Sequence, residues 1–369
     1  MEAFTITNTN HRNLDGLRAI GILMVMFRHF YGGFFNCSIL WTSIDLLFAL
    51  SGLLITGILI ETKDDPRYFQ KFYMRRLLRI FPLYYLLILF FAFFIYFISN
   101  HPEAFNYYKS NWVYFLTYTQ NWCYILNGIP AEGHLNHTWS LAVDEQIYLL
   151  WPLLIWWCRT KKQLMILCAA TLGSSLLFRL GYTIYLDFRP SLDPVAYFHH
   201  TLCRIDSFAA GSFLYCLLHY NSKWLNKRNM LLVFWTTLLM IFSFALLDKT
   251  ADCTGYLMKN FGITVAGLHF TTWLYFAVRN TGKILTFIFS TRVLVYLGKI
   301  SYSLYVFHWF LIILLVPKLK TLITAYLKID SLLTAYTLCF LITFLVSALS
   351  YRYFEKPIIR LKRRFSYSR

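Results

Sequence analysis

Charge is scarce in this chain, and acidic charge scarcest. Only 14% of the 369 residues are charged, and 17 Asp and Glu stand against 35 Lys and Arg. A soluble domain carries nearer ~25% charge, so a soluble globular protein is excluded. With 58% hydrophobic residues and a mean hydropathy of +0.51, the chain reads as an integral membrane protein. The eight cysteines include no Cys-x-x-Cys pair, which argues against a zinc ribbon or a dithiol redox centre. His-Glu-x-x-His, Gly-x-Ser-x-Gly and the Gly-rich phosphate loop are also missing, removing the usual zinc-protease, hydrolase-elbow and nucleotide-loop readings. No metal is expected: His134 and His137 have ligand-like spacing but no evident third ligand. The net charge of +18 is spread over short segments between apolar runs. There is no contiguous basic groove or base-reading motif, so nucleic acid is not an expected partner.

What is there is a series of apolar runs long enough to cross a bilayer, each about 17–25 residues. The sequence predicts an all-α integral membrane protein, a bundle of about ten transmembrane helices. They run roughly over 14–34, 40–60, 78–99, 139–158, 164–185, 202–220, 230–247, 261–278, 300–316 and 332–351. The first ten residues are polar and no small-residue cleavage site follows the first run, so the first helix is expected to stay as an anchor. With the N-terminus inside, about 25 basic residues fall in inner segments, Lys283 and Arg369 among them, and about seven in outer ones. Both termini are therefore expected to be cytoplasmic. The whole chain, 1–369, is expected to form a single membrane domain with no separate soluble domain. The longest loop, 100–138, is placed outside and is rich in Tyr and Trp. It suits an aromatic belt at the headgroup level or a stacking surface for a sugar, and its apolar stretch 112–124 suits a re-entrant or interfacial segment. Cys37, Cys123 and Cys253 fall in outer segments and leave room for one disulfide.

Ionisable residues inside these runs point to function, because a charge in hydrocarbon is costly. The first run carries Arg18 near its start and Arg28 and His29 near its end. Arg18 and His29 lie three helical turns apart, roughly 16 Å. His29 can take a proton at cytosolic pH, having an unperturbed pKa of about 6.5. Asp15 suits a helix N-cap or a partner that orients Arg18. Arg75, Arg76 and Arg79 form an Arg-Arg-x-x-Arg cluster placed at the cytoplasmic start of the third helix. Guanidinium groups there can hold phosphates bidentately or anchor to lipid headgroups. Glu145, beside Asp144, can polarise His29 or pair with an arginine. Arg204 and Asp206 are most simply a structural ion pair. His308 sits roughly 12 Å into its helix, where it can line the same cavity or pack through a hydrogen bond.

Taken in order, these stretches resemble the acyltransferase-3 family of membrane O-acyltransferases. Arg18 and His29 match its Arg/Lys-x10-His signature, and Ile44 to Gly52 resembles its second-helix motif. The arginine cluster, Trp139 to Gln146, Ile300 to His308 and Glu355-x-Pro357 follow in the family's order. Asp144 stands where the family commonly has Glu, and Phe310 where it commonly has Pro after His-Trp. The resemblance implies transfer of an acyl group, usually acetyl, from cytosolic acyl-CoA to a hydroxyl of an extracytoplasmic envelope glycan such as lipopolysaccharide O-antigen. It implies that His29 and Arg18 are catalytic; Glu145 and His308 are candidate catalytic residues from their places in the apolar runs. It also implies that Arg75, Arg76 and Arg79 hold the coenzyme phosphates, and that the protein sits in a bacterial inner membrane. Many family members carry a soluble esterase-like domain after the membrane core, and this chain reads as a stand-alone member. Two rival functions share these residues: an acyl-group translocator serving a separate transferase, and a transporter of an anionic solute.

Overall fold

A computed structural model describes residues 4–6, 12–98, 102–130, 133–189, 192–280, 287–328 and 331–367. Lys283 and Arg369, counted among the inner basic residues, lie outside the described residues, as do Asn100 and His101 of the long loop. Among the described residues every regular element is helical and no strand occurs. Eight helical stretches are long and apolar enough to span a membrane. All ten predicted runs are helical. The two that fall short of the spanning criterion are α1 (Arg12–Tyr31) and α6 (Trp139–Trp157). Both carry several charges within the run: Asp15, Arg18 and Arg28 on one, Asp144 and Glu145 on the other. Charge that serves a site lowers the signal that marks a span.

The described residues cluster into two compact units. The first contains residues 1–25, 38–68 and 143–299. It holds α2 (Ser43–Glu61), α7 (Lys161–Asp187), α8 (Ala196–His199), α9 (Thr201–His219), α10 (Lys227–Leu247) and α11 (Ile263–Arg279). Local signals set the helix starts. Thr160 and Gln163 close a capping box on α7, and Asn226 accepts from the backbone of Asn229 at the start of α10. Helices α2 and α9 approach very closely. A Cβ on Gly52 would fall 1.9 Å from the carbonyl oxygen of Phe208, and one on Gly211 would fall 1.9 Å from that of Ala49. Glycine at both crossing points lets the backbones touch, as small residues do between membrane helices.

Charge is buried at this contact. Asp45 on α2 pairs with Arg204 on α9 at 3.0 Å and accepts from Ser207 Oγ at 2.8 Å, while its Oδ2 has no hydrogen-bond partner. Arg179 on α7 pairs with Asp206 at 2.8 Å and donates to the carbonyls of Asn260 and Cys203. The sequence pairs Arg204 with Asp206. In the structure each finds its ion-pair partner on another helix, because neighbours two apart on a helix point away from each other.

The second unit contains residues 26–37, 69–142 and 300–369. It holds most of α3 (Tyr68–Ile98), α4 (Pro102–Leu116), α5 (Gln120–Asn127) and α13 (Leu332–Ser350). It also holds the greater part of α12 (Arg292–Leu327). The long aromatic loop is therefore largely helical. Helices α4 and α5 are separated at Tyr118, whose φ of 54° is left-handed. The amide of Thr119 bonds back to the Tyr114 carbonyl at 2.9 Å, a helix-terminating turn. That break divides the apolar stretch 112–124. Tyr84 and Tyr85 on α3 donate to the carbonyls of Phe115 and Leu116, fixing the end of α4. All eight cysteines are free in the structure.

Candidate active site

The structure brings His29 and His308 into direct contact in the second unit. His29 Nδ1 lies 2.8 Å from His308 Nε2, with the rings nearly parallel at 3° and their centroids 5.0 Å apart. His308 Nδ1 lies 2.6 Å from the carbonyl oxygen of Tyr305, one turn back on α12. A carbonyl only accepts, so Nδ1 of His308 carries the hydrogen. In the neutral ring Nε2 is then the acceptor, and His29 must donate to it from Nδ1. The chain of donors ends at His29 Nε2, which keeps a bare lone pair. Among the described residues neither histidine pairs with a carboxylate. A backbone carbonyl thus sets the tautomer through an intervening imidazole, the task that an aspartate performs in a serine-protease triad.

The surrounding side chains hold this pair. Trp309 packs edge-on against His29 with centroids 4.9 Å apart, and its indole nitrogen donates to the Gly133 carbonyl at 2.7 Å. His137, just ahead of α6, sets its ring at 77° to His308 with centroids 5.2 Å apart. Tyr305 donates its hydroxyl to the His137 carbonyl and meets Ser140 Oγ at 2.5 Å. His137, Tyr305, Ser140 and Trp309 surround the pair, and the sequence reading names none of them as a catalytic candidate. His137 had been noticed only for its spacing from His134. The one local clue was the three-residue interval from Tyr305 to His308, which places a helix carbonyl under the imidazole.

The arginine cluster belongs to the same unit. Helix α3 starts at Tyr68, so Arg75, Arg76 and Arg79 lie two to three turns inside it rather than at its first turn. Arg75 Nη1 reaches the carbonyls of Lys362 and Phe365 at 3.4 and 3.3 Å, and its guanidinium lies 4.9 Å from the Tyr367 ring. Arg76 lies over Phe72. Arg79 is within electrostatic reach of Glu355, a buried carboxylate that accepts from Ser303 and from Ser350. Tyr302 donates to the carbonyl of Ile80, the residue after Arg79, at 2.6 Å. From Tyr302 to His308 is six residues on one helix, a rise of about 9 Å. The residue after Arg79 therefore meets α12 about 9 Å along the helix from His308.

The remaining predicted residues belong to the first unit. Arg18 pairs with Asp15 at 3.0 Å. Asp15 lies inside α1, which begins at Arg12, so it orients Arg18 instead of capping the helix. Glu145 sits half-buried on α6. The aromatic residues expected to stack a sugar are mostly committed to packing. Tyr108 and Phe115 are buried and, with Phe91, Trp112 and Leu135, line an apolar cavity of about 360 Å³, whereas Trp112 stays exposed.

The fold is that of an all-α membrane protein, with two imidazoles in contact and an arginine cluster in its second unit. The chain belongs to the acyltransferase-3 family, whose model, described as an acyltransferase domain, matches residues 11–352. It is 27% identical over 369 residues to the peptidoglycan O-acetyltransferase OatA of Listeria monocytogenes, covering 94% of this chain and 55% of that protein. It is 28% identical over 363 residues to the O-acetyltransferase OatA of Staphylococcus aureus, covering 94% and 56%. It is 25% identical over 382 residues to the putative peptidoglycan O-acetyltransferase YrhL of Bacillus subtilis, covering 94% and 54%. The chain spans a little over half the length of these curated relatives. No solved structure matches it.

Proposed function

We propose that this protein is an O-acyltransferase of a bacterial inner membrane, moving an acetyl group from cytosolic acetyl-CoA to a hydroxyl of an envelope glycan. The observation that carries this reading is the hydrogen-bond chain from the Tyr305 carbonyl through His308 to His29. It leaves His29 Nε2 unprotonated, aligned and available as a base or as a nucleophile. Arg75, Arg76 and Arg79 supply the donor phosphates with guanidinium partners. A rise of about 9 Å on α12 from Tyr302, beside the cluster, to His308 suits a long thioester arm held at its phosphate end. The names of the relatives favour peptidoglycan as the acceptor over the O-antigen suggested by the family resemblance alone.

The test uses purified protein in vesicles, labelled acetyl-CoA and a peptidoglycan or O-antigen acceptor, with the products read by mass spectrometry. Acetylated glycan from the wild type and none from His29→Ala is the expected result. Equal product from both proteins rules out the role of His29. Uptake of an anionic solute without any acetyl-CoA requirement rules out the enzyme reading.

A further inference from the structure

His137 lies outside the mechanism above, yet its anchoring on a backbone carbonyl repeats that of His308. Its Nε2 is 3.1 Å from the carbonyl oxygen of Val306 on α12. That oxygen can only accept, so Nε2 carries the hydrogen, and the neutral ring keeps its lone pair on Nδ1. The residue is 5% exposed, and Nδ1 has no hydrogen-bond partner. A buried acceptor left without a donor costs free energy and marks a position where a hydroxyl would be welcome. Two successive carbonyl-anchored imidazoles, His308 on Tyr305 and His137 on Val306, therefore hang from one turn of α12. Burial, and next the charge His308 would carry, push the pKa of His137 well below its ordinary value, so its lone pair is present at neutral pH.

We propose that His137 Nδ1 is the base that accepts the proton of the acceptor hydroxyl, while His29 Nε2 carries the acyl group. This rests on the acyltransferase reading and divides it into two half-reactions. In the first, His29 Nε2 attacks the thioester carbonyl carbon, the C–S bond breaks and coenzyme A leaves as the thiolate. In the second, the hydroxyl gives its proton to His137 Nδ1 as its oxygen attacks the acyl carbon. The C–N bond to His29 breaks, the ester forms, and the proton on His137 is finally lost to solvent, where the thiolate is also protonated. Two lone pairs on two separate rings allow the acyl group and the proton to be handled at once, which one imidazole cannot do.

His137→Gln retains an amide donor for the Val306 carbonyl but has no base. In a rapid-mixing assay with labelled acetyl-CoA, it should still release about one equivalent of coenzyme A and retain label on the protein. Turnover onto the glycan should fall about 100-fold or more. His137→Gly, supplied with free imidazole, should regain part of that turnover. Unchanged turnover in His137→Gln overturns the proposal. So does loss of the burst together with turnover in a protein that still binds coenzyme A, because that places His137 in the first half-reaction or in structure alone. If His137→Gln does not fold, His137→Gly carries the test, and failure of imidazole to restore any turnover counts against the base. A wild type with no acetyl-CoA-dependent burst refutes the acyltransferase reading instead, so the two failures are distinguishable.

Discussion

In the first unit, the buried carboxylates and guanidiniums answer one another: Asp45 faces Arg204, and Asp206 faces Arg179 with Thr264 Oγ1 beside it. In the second unit, the buried imidazoles of His308 and His137 are held by backbone carbonyls, which fix one nitrogen of a ring and ask nothing of the other. Both arrangements place costly groups among apolar helices. The rule that an intramembrane ionisable residue signals function therefore needs a second criterion, namely whether the partner neutralises the group or only orients it. Opposite charges close the first set into a structural joint between α2, α7 and α9. Carbonyl anchoring leaves lone pairs in the second set, and a lone pair is what proton or acyl transfer consumes.

The comparison breaks most severely at His29. His29→Ala should lower acetyl transfer by about 10⁴-fold or more, the scale of losing a nucleophile in other covalent enzymes. Thermal stability should stay close to that of the wild type, because only a half-buried side chain is removed. The matching change in the first unit should do the reverse. Asp45→Ala removes the ion-pair partner of the fully buried guanidinium of Arg204 and should cost about 3–5 kcal/mol of stability, seen as loss of folded protein in detergent. If Asp45→Ala gave a stable protein with no activity, the first unit's charges would belong with the second unit's imidazoles, and the distinction would fail.

The division was only partly legible in the sequence. The ten helical runs could be read because a hydrocarbon core demands long apolar stretches and the basic residues fall between them. Helices α4 and α5 were hidden inside what looked like a loop, since neither is long enough to span and Tyr118 separates them. His29 and His308, which meet in the structure, are marked in the sequence because charge is rare in apolar runs and the motifs follow in order. The ion-pair partners could not be found, because Arg204 and Asp206 lie close in sequence and the helix turns them apart. His137 escaped for a similar reason. Its chemistry comes from the Val306 carbonyl, 169 positions away, and nothing near residue 137 announces that contact.

Two smaller effects sharpen the contrast within the second unit. His308→Gln keeps a hydrogen-bonding side chain but loses the relay that fixes the His29 tautomer. It should lower kcat by about 10² to 10³-fold, within the range for acid–base groups, while the KM for acetyl-CoA changes little. Steady-state kinetics on the vesicle-bound enzyme separates the two constants.

Arg79→Ala should act the other way, because a guanidinium that holds a phosphate contributes to binding more than to the chemical step. A hydrogen bond to a charged group is worth about 1.5–3 kcal/mol. The KM for acetyl-CoA should therefore rise about tenfold or more, with kcat within a few-fold of the wild type. Arg75→Ala should show a weaker version of the same change, since its Nη1 is already shared with the carbonyls of Lys362 and Phe365. Equal effects at the two positions would mean that those carbonyl contacts give way when the donor binds. An effect confined to kcat would move the guanidinium cluster from holding the donor to stabilising the transition state.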